Sequence, residues 1–110
     1  MKLIVAVVQA KDADGLLATL MSRGYRATRI NSAGGFLRES NVTLLLGVQD
    51  TYVADVLRIV RQSCHARSQF VNPLMPIVEP GEFYVSSPVE VQIGGATVFV
   101  LNVERYERIA

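Results

Sequence analysis

The stretch 3-LIVAVVQAKDADGLLATLMSRG-24 decides how the chain begins to fold. Leu3 to Val8 is a continuous apolar run rich in β-branched residues, which predicts a buried strand. Asp12 or Asp14 is then placed to cap a helix, and Gly24 predicts the end of that helix as a left-handed cap. The apolar face of the helix recurs at helical spacing and consists of Leu16, Leu17, Leu20 and Met21.

Two more strands and a second helix are predicted next. Tyr25 to Ile30 and Val42 to Val48 indicate strands, joined by a short loop near 31–41 that contains a pair of glycines. Asp50 is placed to cap a second helix, which is expected to end near Cys64. The apolar residues of this helix are Val53, Val56, Leu57 and Val60.

The remaining third of the chain predicts a long loop followed by a hairpin. From His65 to Pro88 the sequence has no clean period and is interrupted by Pro73, Pro76, Pro80 and Gly81, which predicts a long loop near 65–88. The segments VEVQI (89–93) and ATVFVLNV (96–103) flank Gly94-Gly95. This pattern predicts a terminal β-hairpin with a two-residue turn.

The order of these elements predicts an α+β fold close to a ferredoxin-like βαββαβ sandwich with a terminal β-hairpin. A length of 110 residues fits a single domain over residues 1–110. Two helices cover one face of such a sheet, yet 3–8 and 98–101 are apolar on both faces. The pattern indicates that the chain is not a monomer and that copies of it cover the second face, and we predict a homotrimer.

The composition excludes several classes of partner. Eleven Lys and Arg against ten Asp and Glu leave a net charge of +1, so we expect no binding to DNA or RNA and none to an anionic membrane surface. No apolar stretch approaches the ~20 residues of a membrane helix, and no secretory cleavage site follows the first apolar run. These features predict a cytoplasmic protein with no membrane insertion.

The chain also lacks the usual signatures of an enzyme. It has neither a P-loop nor a dinucleotide-binding glycine motif, and no spacing of residues typical of a metal site. Cys64 and His65 are adjacent, and adjacent residues rarely face each other as nucleophile and base. We interpret Cys64 as a buried residue at a helix end and His65 as solvated or bound to helix carbonyls. The prediction is a protein without catalysis, cofactor or metal.

One segment, residues 24–47, concentrates residues that suit an anion. Arg26 and Thr28 are two residues apart on a predicted strand, so both side chains can offer donors to one phosphate. Gly34 and Gly35 can form a nest of backbone amides around an anion. Each also has a structural explanation: a surface salt bridge for Arg26, solvent exposure for Thr28 and a simple turn for the glycines.

The same segment carries residues that suit a base. Phe36 and Leu37 can offer a stacking surface, although most aromatic residues belong to a core. Asn41 can read the edge of a base through its amide or instead cap a turn. Gly47 inside an apolar strand indicates either a bulge or the close approach of a ligand to the backbone. Together, these residues predict a nucleotide site.

Three blocks of the sequence, RAT (26–28), AGGFLRESN (33–41) and IGGATVFVL (93–101), resemble the PII-like cyclic di-AMP receptor family. The resemblance runs along nearly the whole chain. It implies a small trimeric bacterial signalling protein that binds one cyclic dinucleotide in each cleft between subunits and has no catalytic activity. Ligand binding would change the conformation of loops and so signal to a protein partner that the sequence does not identify.

The resemblance also implies roles for single residues. Arg26 and Thr28 match positions that meet the ligand phosphate and sugar. Gly35, Phe36 and Leu37 match the loop that closes on the adenines, whereas Asn41 and Gly47 match positions that contact a base.

Two positions depart from the family pattern, and two other functions stay open. Gly24 stands where members often carry asparagine, and Arg108 stands where the family can contribute a glutamine. The long loop at 65–88, rather than between the second and third strands, favours the cyclic di-AMP branch over ATP-sensing PII proteins. The alternatives are a PII relative that senses another nucleotide or a metal, and a ligand-free trimeric module whose Phe36 and Leu37 dock a protein.

Overall fold

The structure, a computed structural model, describes residues 1–31, 41–71 and 89–110. Its strands are β1 (Lys2–Gln9), β2 (Thr28–Asn31), β3 (Asn41–Val48), β4 (Arg67–Val71), β5 (Val89–Ile93) and β6 (Ala96–Asn102). Its helices are α1 (Ala10–Ser22) and α2 (Val53–Ser63), and a single 3₁₀ turn (Asp50–Tyr52) precedes α2. The prediction of a small α+β protein with antiparallel strands and two helices is confirmed. In the described ranges, neither helix is long and apolar enough to cross a membrane.

The main sheet has four strands in the order β2-β3-β1-β6. β1 is central and pairs antiparallel with β3, from Lys2 opposite Val48 to Gln9 opposite Asn41. On its other side β1 pairs with β6, from Lys2 opposite Asn102 to Val8 opposite Ala96. This arrangement is compatible with a ferredoxin-like fold in which β6 takes the place of the fourth strand.

Both helices pack on one face of this sheet and form the core with it. Successive side chains of a strand point to opposite faces, and the buried ones alternate along β1 and β3 (Ile4, Ala6, Val8, Val42, Leu44 and Leu46). The helices contribute Leu16, Leu20, Val56, Ile59 and Val60. Met21, predicted for the apolar face of α1, is exposed because it lies beyond the edge of the stripe centred on Leu16 and Leu20.

The opposite face of the sheet carries apolar side chains that neither of the two described helices covers in the single chain. Leu3, Val5 and Val7 of β1 are only partly buried. Phe99 and Leu101 of β6, which lie opposite Val5 and Leu3 in the register, are about half exposed. Among residues 1–31, 41–71 and 89–110, the sheet therefore has one face packed on helices and one apolar face that no described element covers.

The end of α1 follows the prediction, but its start does not. α1 begins directly after β1, with Gln9 at its N-cap, so neither Asp12 nor Asp14 caps it. At the other end, Gly24 has φ +85°, its N–H donates to the carbonyl of Met21 (3.0 Å), and the Tyr25 N–H donates to the carbonyl of Leu20 (2.9 Å). These two hydrogen bonds form a Schellman motif, which requires a left-handed residue at position 24.

Asp50 was predicted as a cap, and that prediction is wrong. Gln49 is the N-cap of the 3₁₀ turn, and the carboxylate of Asp50 binds the α-amino group of Met1 instead (2.9 Å). Hydrogen bonding to this amino group lowers the pKa of Asp50. Asp50 therefore ties the start of β1 to the beginning of the turn.

Two predicted strand boundaries also need correction. β2 begins at Thr28 rather than Tyr25, so Arg26 precedes the strand. Residues 67–71, placed in the predicted long loop, form β4 and pair antiparallel with β5 in a separate two-stranded sheet. This strand was not predicted because Arg67, Ser68 and Gln69 are polar and break the apolar pattern of a strand. Its partner β5 also lies about twenty residues away along the chain, so no short turn indicates the pairing.

The predicted terminal hairpin is wrong as well, because β5 and β6 belong to different sheets. Gly94 and Gly95 have φ +81° and +87°, but their amides donate to the side chain of Gln9 (2.8 Å) and to the carbonyl of Cys64. A Cβ at Gly94 would clash with the carbonyl oxygen of His65. The glycine pair is therefore a junction that carries the chain from the two-stranded sheet to the main sheet.

Candidate functional site

The first candidate site is a cleft of about 480 Å³ where α1 and β3 end and the 3₁₀ turn begins. We call it the Arg26 cleft. Two residues predicted to bind a ligand, Arg26 and Gly47, line it together. The other residues used below are Gly24, Tyr25, Gln49 and Tyr52.

Arg26 differs from its neighbouring arginines in its charge partners. Arg23 binds the carboxylate of Asp55 through Nη2 (3.1 and 3.2 Å), and Arg29 binds Asp14 through Nη1 (2.6 Å). Within residues 1–31, 41–71 and 89–110, Arg26 makes no ion pair, so the surface salt bridge considered for it is not formed there. Its guanidinium is therefore the positive group that this cleft offers to an anion.

Gly47 leaves the backbone of β3 open on the side of the sheet that the helices do not cover. The register between β1 and β3 runs without a shift through the pair Leu3–Gly47, so Gly47 does not mark a bulge. A Cβ placed on Gly47 meets no atom within 4 Å. The pairing of β2 with β3 starts at Thr28–Leu45, and Arg26 and Gly47, each two residues beyond that pair, line the same cleft. An anion held by Arg26 would thus lie beside bare backbone.

The wall of the Arg26 cleft is fixed by a network centred on Asp55. The hydroxyl of Tyr25 donates to Asp55 Oδ2 (2.6 Å), and Arg23 and Arg58 bind the same carboxylate. The hydrogen bond raises the pKa of Tyr25 and, with the two arginines, lowers the pKa of Asp55. The network joins the end of α1 to the first turn of α2, so the Tyr25 ring is held in place.

Asn41 lies in a second cleft, of about 330 Å³, at the other end of β3. We call it the Asn41 cleft; Gln9, Gly94, Gly95 and Thr97 also line it. Asn41 and Gly47 are six positions apart along a regular strand, and at about 3.3 Å per residue they lie roughly 20 Å from each other. One chain therefore does not bring Asn41 together with Arg26 and Gly47.

The other predicted site residues divide into two groups. Thr28 lies on β2 opposite Leu45, and within the described ranges it lines neither cleft. Gly35, Phe36 and Leu37 lie outside the described residues. Gln49 and Tyr52 were not predicted, although they follow Gly47 closely in the sequence and could have been found by extending the site past the end of β3.

Cys64 and His65 do not form a nucleophile and base. The Cys64 side chain is buried, and burial raises the pKa of its thiol to about 11. His65 is exposed and its Nδ1 lies 3.3 Å from the carbonyl oxygen of Gln62 at the end of α2. The interpretation of both residues as structural is confirmed. In the part of the chain that the structure describes, no group of three or more His, Cys, Asp or Glu residues could hold a metal ion.

Two comparisons with known proteins each match nearly the whole chain. A family model described as cyclic-di-AMP receptor matches residues 1–109. A crystal structure of a functionally unknown protein from Pediococcus pentosaceus is similar to this chain, with 37% identity and a TM-score of 0.77. The match covers 98% of this chain and 96% of that one. The similarity therefore extends over the whole length of both proteins.

Proposed function

This chain belongs to the cyclic-di-AMP receptor family, and we propose that it is a non-enzymatic signalling protein that binds cyclic di-AMP in clefts between subunits of a homotrimer. In this proposal, binding changes the conformation of the predicted loop near 31–41 and of the predicted loop near 65–88 beyond β4, and a protein partner reads the change. The trimer is of the PII type, each subunit is a single domain, and the protein works in the bacterial cytoplasm.

The observation that carries this proposal is the Arg26 cleft. A cyclic dinucleotide has two phosphates and two flat bases, so its site needs a cation and a surface on which a base can lie. Arg26 supplies a guanidinium that no described carboxylate occupies, and Gly47 leaves the adjacent backbone bare. We propose that Thr28, which starts β2 two residues after Arg26 and lies outside the lining of the cleft in the single chain, adds a hydroxyl for a phosphate or sugar.

The separation of Asn41 from Gly47 supports a ligand shared between subunits. A compact ring with two bases does not reach both ends of β3 on one chain, since they lie roughly 20 Å apart. We propose that Arg26, Thr28 and Gly47 of one subunit face Asn41 and the segment Gly35–Leu37 of its neighbour. Each ligand then has one phosphate-binding side and one loop that closes on it.

The open apolar face of the sheet supports assembly. Phe99 and Leu101 stay about half exposed in the single chain, and apolar patches of this kind are usually covered by another protein surface. A cyclic homotrimer covers the same face on every subunit and brings the clefts of neighbours together.

The test is isothermal titration of the purified protein with cyclic di-AMP, with cyclic di-GMP and ATP as comparisons and light scattering to measure the oligomer mass. We expect a trimer, binding of cyclic di-AMP at micromolar affinity or tighter, and about one ligand per subunit. Binding of ATP alone would favour a nucleotide-sensing PII relative. Absence of binding to any nucleotide by a trimer would favour the ligand-free docking module.

Two substitutions assign the contacts. Arg26→Ala should weaken binding roughly 10- to 100-fold because a hydrogen bond to a charged group is lost, and the trimer should persist. Arg29→Ala is the matched control, because Arg29 already pairs with Asp14 and should leave affinity unchanged. Phe36→Ala should cost about 1 to 3 kcal/mol of binding free energy if the ring stacks on a base.

A further inference from the structure

We propose that Tyr52 is a stacking residue for one base of the cyclic dinucleotide. This inference rests on the proposed function and adds an aromatic side chain to the same site. The ligand has two adenines, and the proposed function assigns only Phe36 as a stacking surface. Tyr52 lines the Arg26 cleft and supplies a second one, on the side of the site that holds the phosphate.

The position of Tyr52 suits this role. Its side chain is 52% exposed although it lies in a cleft beside a cation and an open strand backbone. It closes the Asp50–Tyr52 turn and directly precedes α2, so its backbone belongs to a regular element rather than to a loop. A half-exposed ring on a rigid element can receive a flat base with little further ordering.

The orientation of the Tyr52 ring is set by its neighbour. The Tyr25 and Tyr52 rings meet edge to face, with centroids 6.1 Å apart and planes at 68°. The Tyr25 ring is in turn held by its hydroxyl on Asp55. Tyr52 therefore packs on a fixed side chain while about half of its surface stays available to a ligand.

Charge and aromatic surface are thus combined in one cleft. Arg26 provides the guanidinium for a phosphate, and Tyr52 provides a face for the base attached to the same nucleotide. Other exposed aromatic residues, such as Phe70 on β4 and Phe99 on β6, do not line this cleft in the described structure. This distinguishes Tyr52 from an aromatic residue that is merely exposed.

The first experiment compares cyclic di-AMP binding by the wild type, Tyr52→Leu and Tyr52→Phe in titration calorimetry. Leucine keeps an apolar side chain against Tyr25 but removes the ring, so affinity should fall roughly 5- to 150-fold. Phenylalanine keeps the ring and should bind within about threefold of the wild type. Phe70→Leu is the matched control, because it removes an exposed ring outside the cleft and should bind as the wild type does.

A spectroscopic readout separates stacking from support of the fold. The chain has four tyrosines and no tryptophan, so its fluorescence comes from tyrosine. Stacking of adenine on Tyr52 should quench that fluorescence, and Tyr52→Phe should lose most of the quenching while it keeps its affinity. This measurement decides the question even if Tyr52→Leu proves too unstable to purify.

The outcomes separate this inference from the function on which it rests. Absence of cyclic di-AMP binding by the wild type overturns both. Binding by the wild type together with unchanged affinity of Tyr52→Leu, or equal quenching in Tyr52→Phe, overturns only the role of Tyr52. A change of oligomer mass in Tyr52→Leu would assign the ring to a subunit interface and would also overturn it.

Discussion

Replacing Gly47 with valine tests whether a ligand approaches the backbone at the end of β3. Gly47 pairs with Leu3 in an unshifted register, and its φ is outside the left-handed region, unlike that of Gly24, Gly94 and Gly95. An added Cβ meets nothing within 4 Å. Valine should therefore fit the unliganded strand without strain.

The expected effects on stability and on binding have opposite signs. Glycine inside a strand costs roughly 0.5 to 1 kcal/mol of stability, so Gly47→Val should raise the unfolding free energy by about that amount and the melting temperature by roughly 2 to 6 °C. The three carbon atoms of the valine side chain would also project into the Arg26 cleft. Overpacking of a filled site costs about 1 to 3 kcal/mol, so the Kd for cyclic di-AMP should rise roughly 5- to 150-fold.

The assay measures both quantities on the same preparations. Differential scanning calorimetry without ligand gives the stability, titration calorimetry gives the Kd, and light scattering gives the oligomer mass. Gly15→Ala is the matched control, because Gly15 is an exposed glycine of α1 whose Cβ also meets nothing within 4 Å. It should raise stability by about 1 kcal/mol and leave binding unchanged.

A single result would refute this reasoning about the site. If Gly47→Val keeps its oligomer mass and binds cyclic di-AMP as tightly as the wild type, the ligand does not lie against the backbone of β3. Gly47 would then be a residue of the open sheet face without a binding role. A changed oligomer mass would instead place Gly47 in the contact between subunits.

Further outcomes are expected at Gly24, at the Arg67–Asp12 pair and at Cys64. Gly24→Asn should tighten cyclic di-AMP binding several-fold in titration calorimetry, because asparagine tolerates the left-handed φ of +85° and adds an amide to the Arg26 cleft. The side chain of Asp12 is 6% exposed, and its carboxylate lies 2.9 Å from Arg67 Nη2. Arg67→Ala leaves this buried carboxylate without its cation, so urea titration should show a free energy of unfolding lower by about 2 to 3 kcal/mol. Adding Asp12→Asn should recover part of that loss. Burial raises the pKa of Cys64 from 9.0 to about 11, so iodoacetamide at pH 8 should modify the native thiol about a hundredfold more slowly than the unfolded one. Because the unfolded chain loses this proton first, stability should fall as the pH rises from 9 to 11, and Cys64→Ala should reduce that fall while the part due to the raised pKa of Tyr25 remains.

The elements with strong local periodicity were predictable from the sequence. The apolar run of β1 and the helical stripe of Leu16 and Leu20 are each explained by one face packed on the core. Gly24 was recognisable because a Schellman motif requires a left-handed residue at that position. These features depend on residues close together in the chain.

The predictions that were wrong concern residues whose partners are distant in the sequence. Gly94 and Gly95 have the positive φ angles that a hairpin turn requires, but the side chain of Gln9 and the carbonyl of Cys64 take their amides and separate β5 from β6. Asp12 was predicted as a cap, but it lies inside the first turn of α1 and its carboxylate accepts a hydrogen bond from Arg67, fifty-five residues later. Propensity does not reveal such contacts.

Only part of the candidate site was predictable, because some of its residues come together through neighbouring strands and others depend on distant contacts. Arg26 and Gly47 lie in one cleft because β2 and β3 are neighbours in a simple antiparallel pair. Asn41 is on the same strand as Gly47, but the length of that strand carries it to a different cleft. Tyr52 was missed because the predicted site stopped at Gly47, and its place in the cleft is shown by its ring contact with Tyr25, twenty-seven residues earlier.

The central strand of the main sheet acquires its two neighbours at different moments of protein synthesis. β3 can pair with β1 once residue 48 has been made, whereas β6 supplies the other neighbour only from residue 96 onward. Until then, β1 has unpaired amides and carbonyls along one edge. Unpaired edges of apolar strands promote aggregation of nascent chains. We expect the docking of β6 on β1 to be a late step of folding, and the nascent chain to need chaperone protection until β6 has left the ribosome.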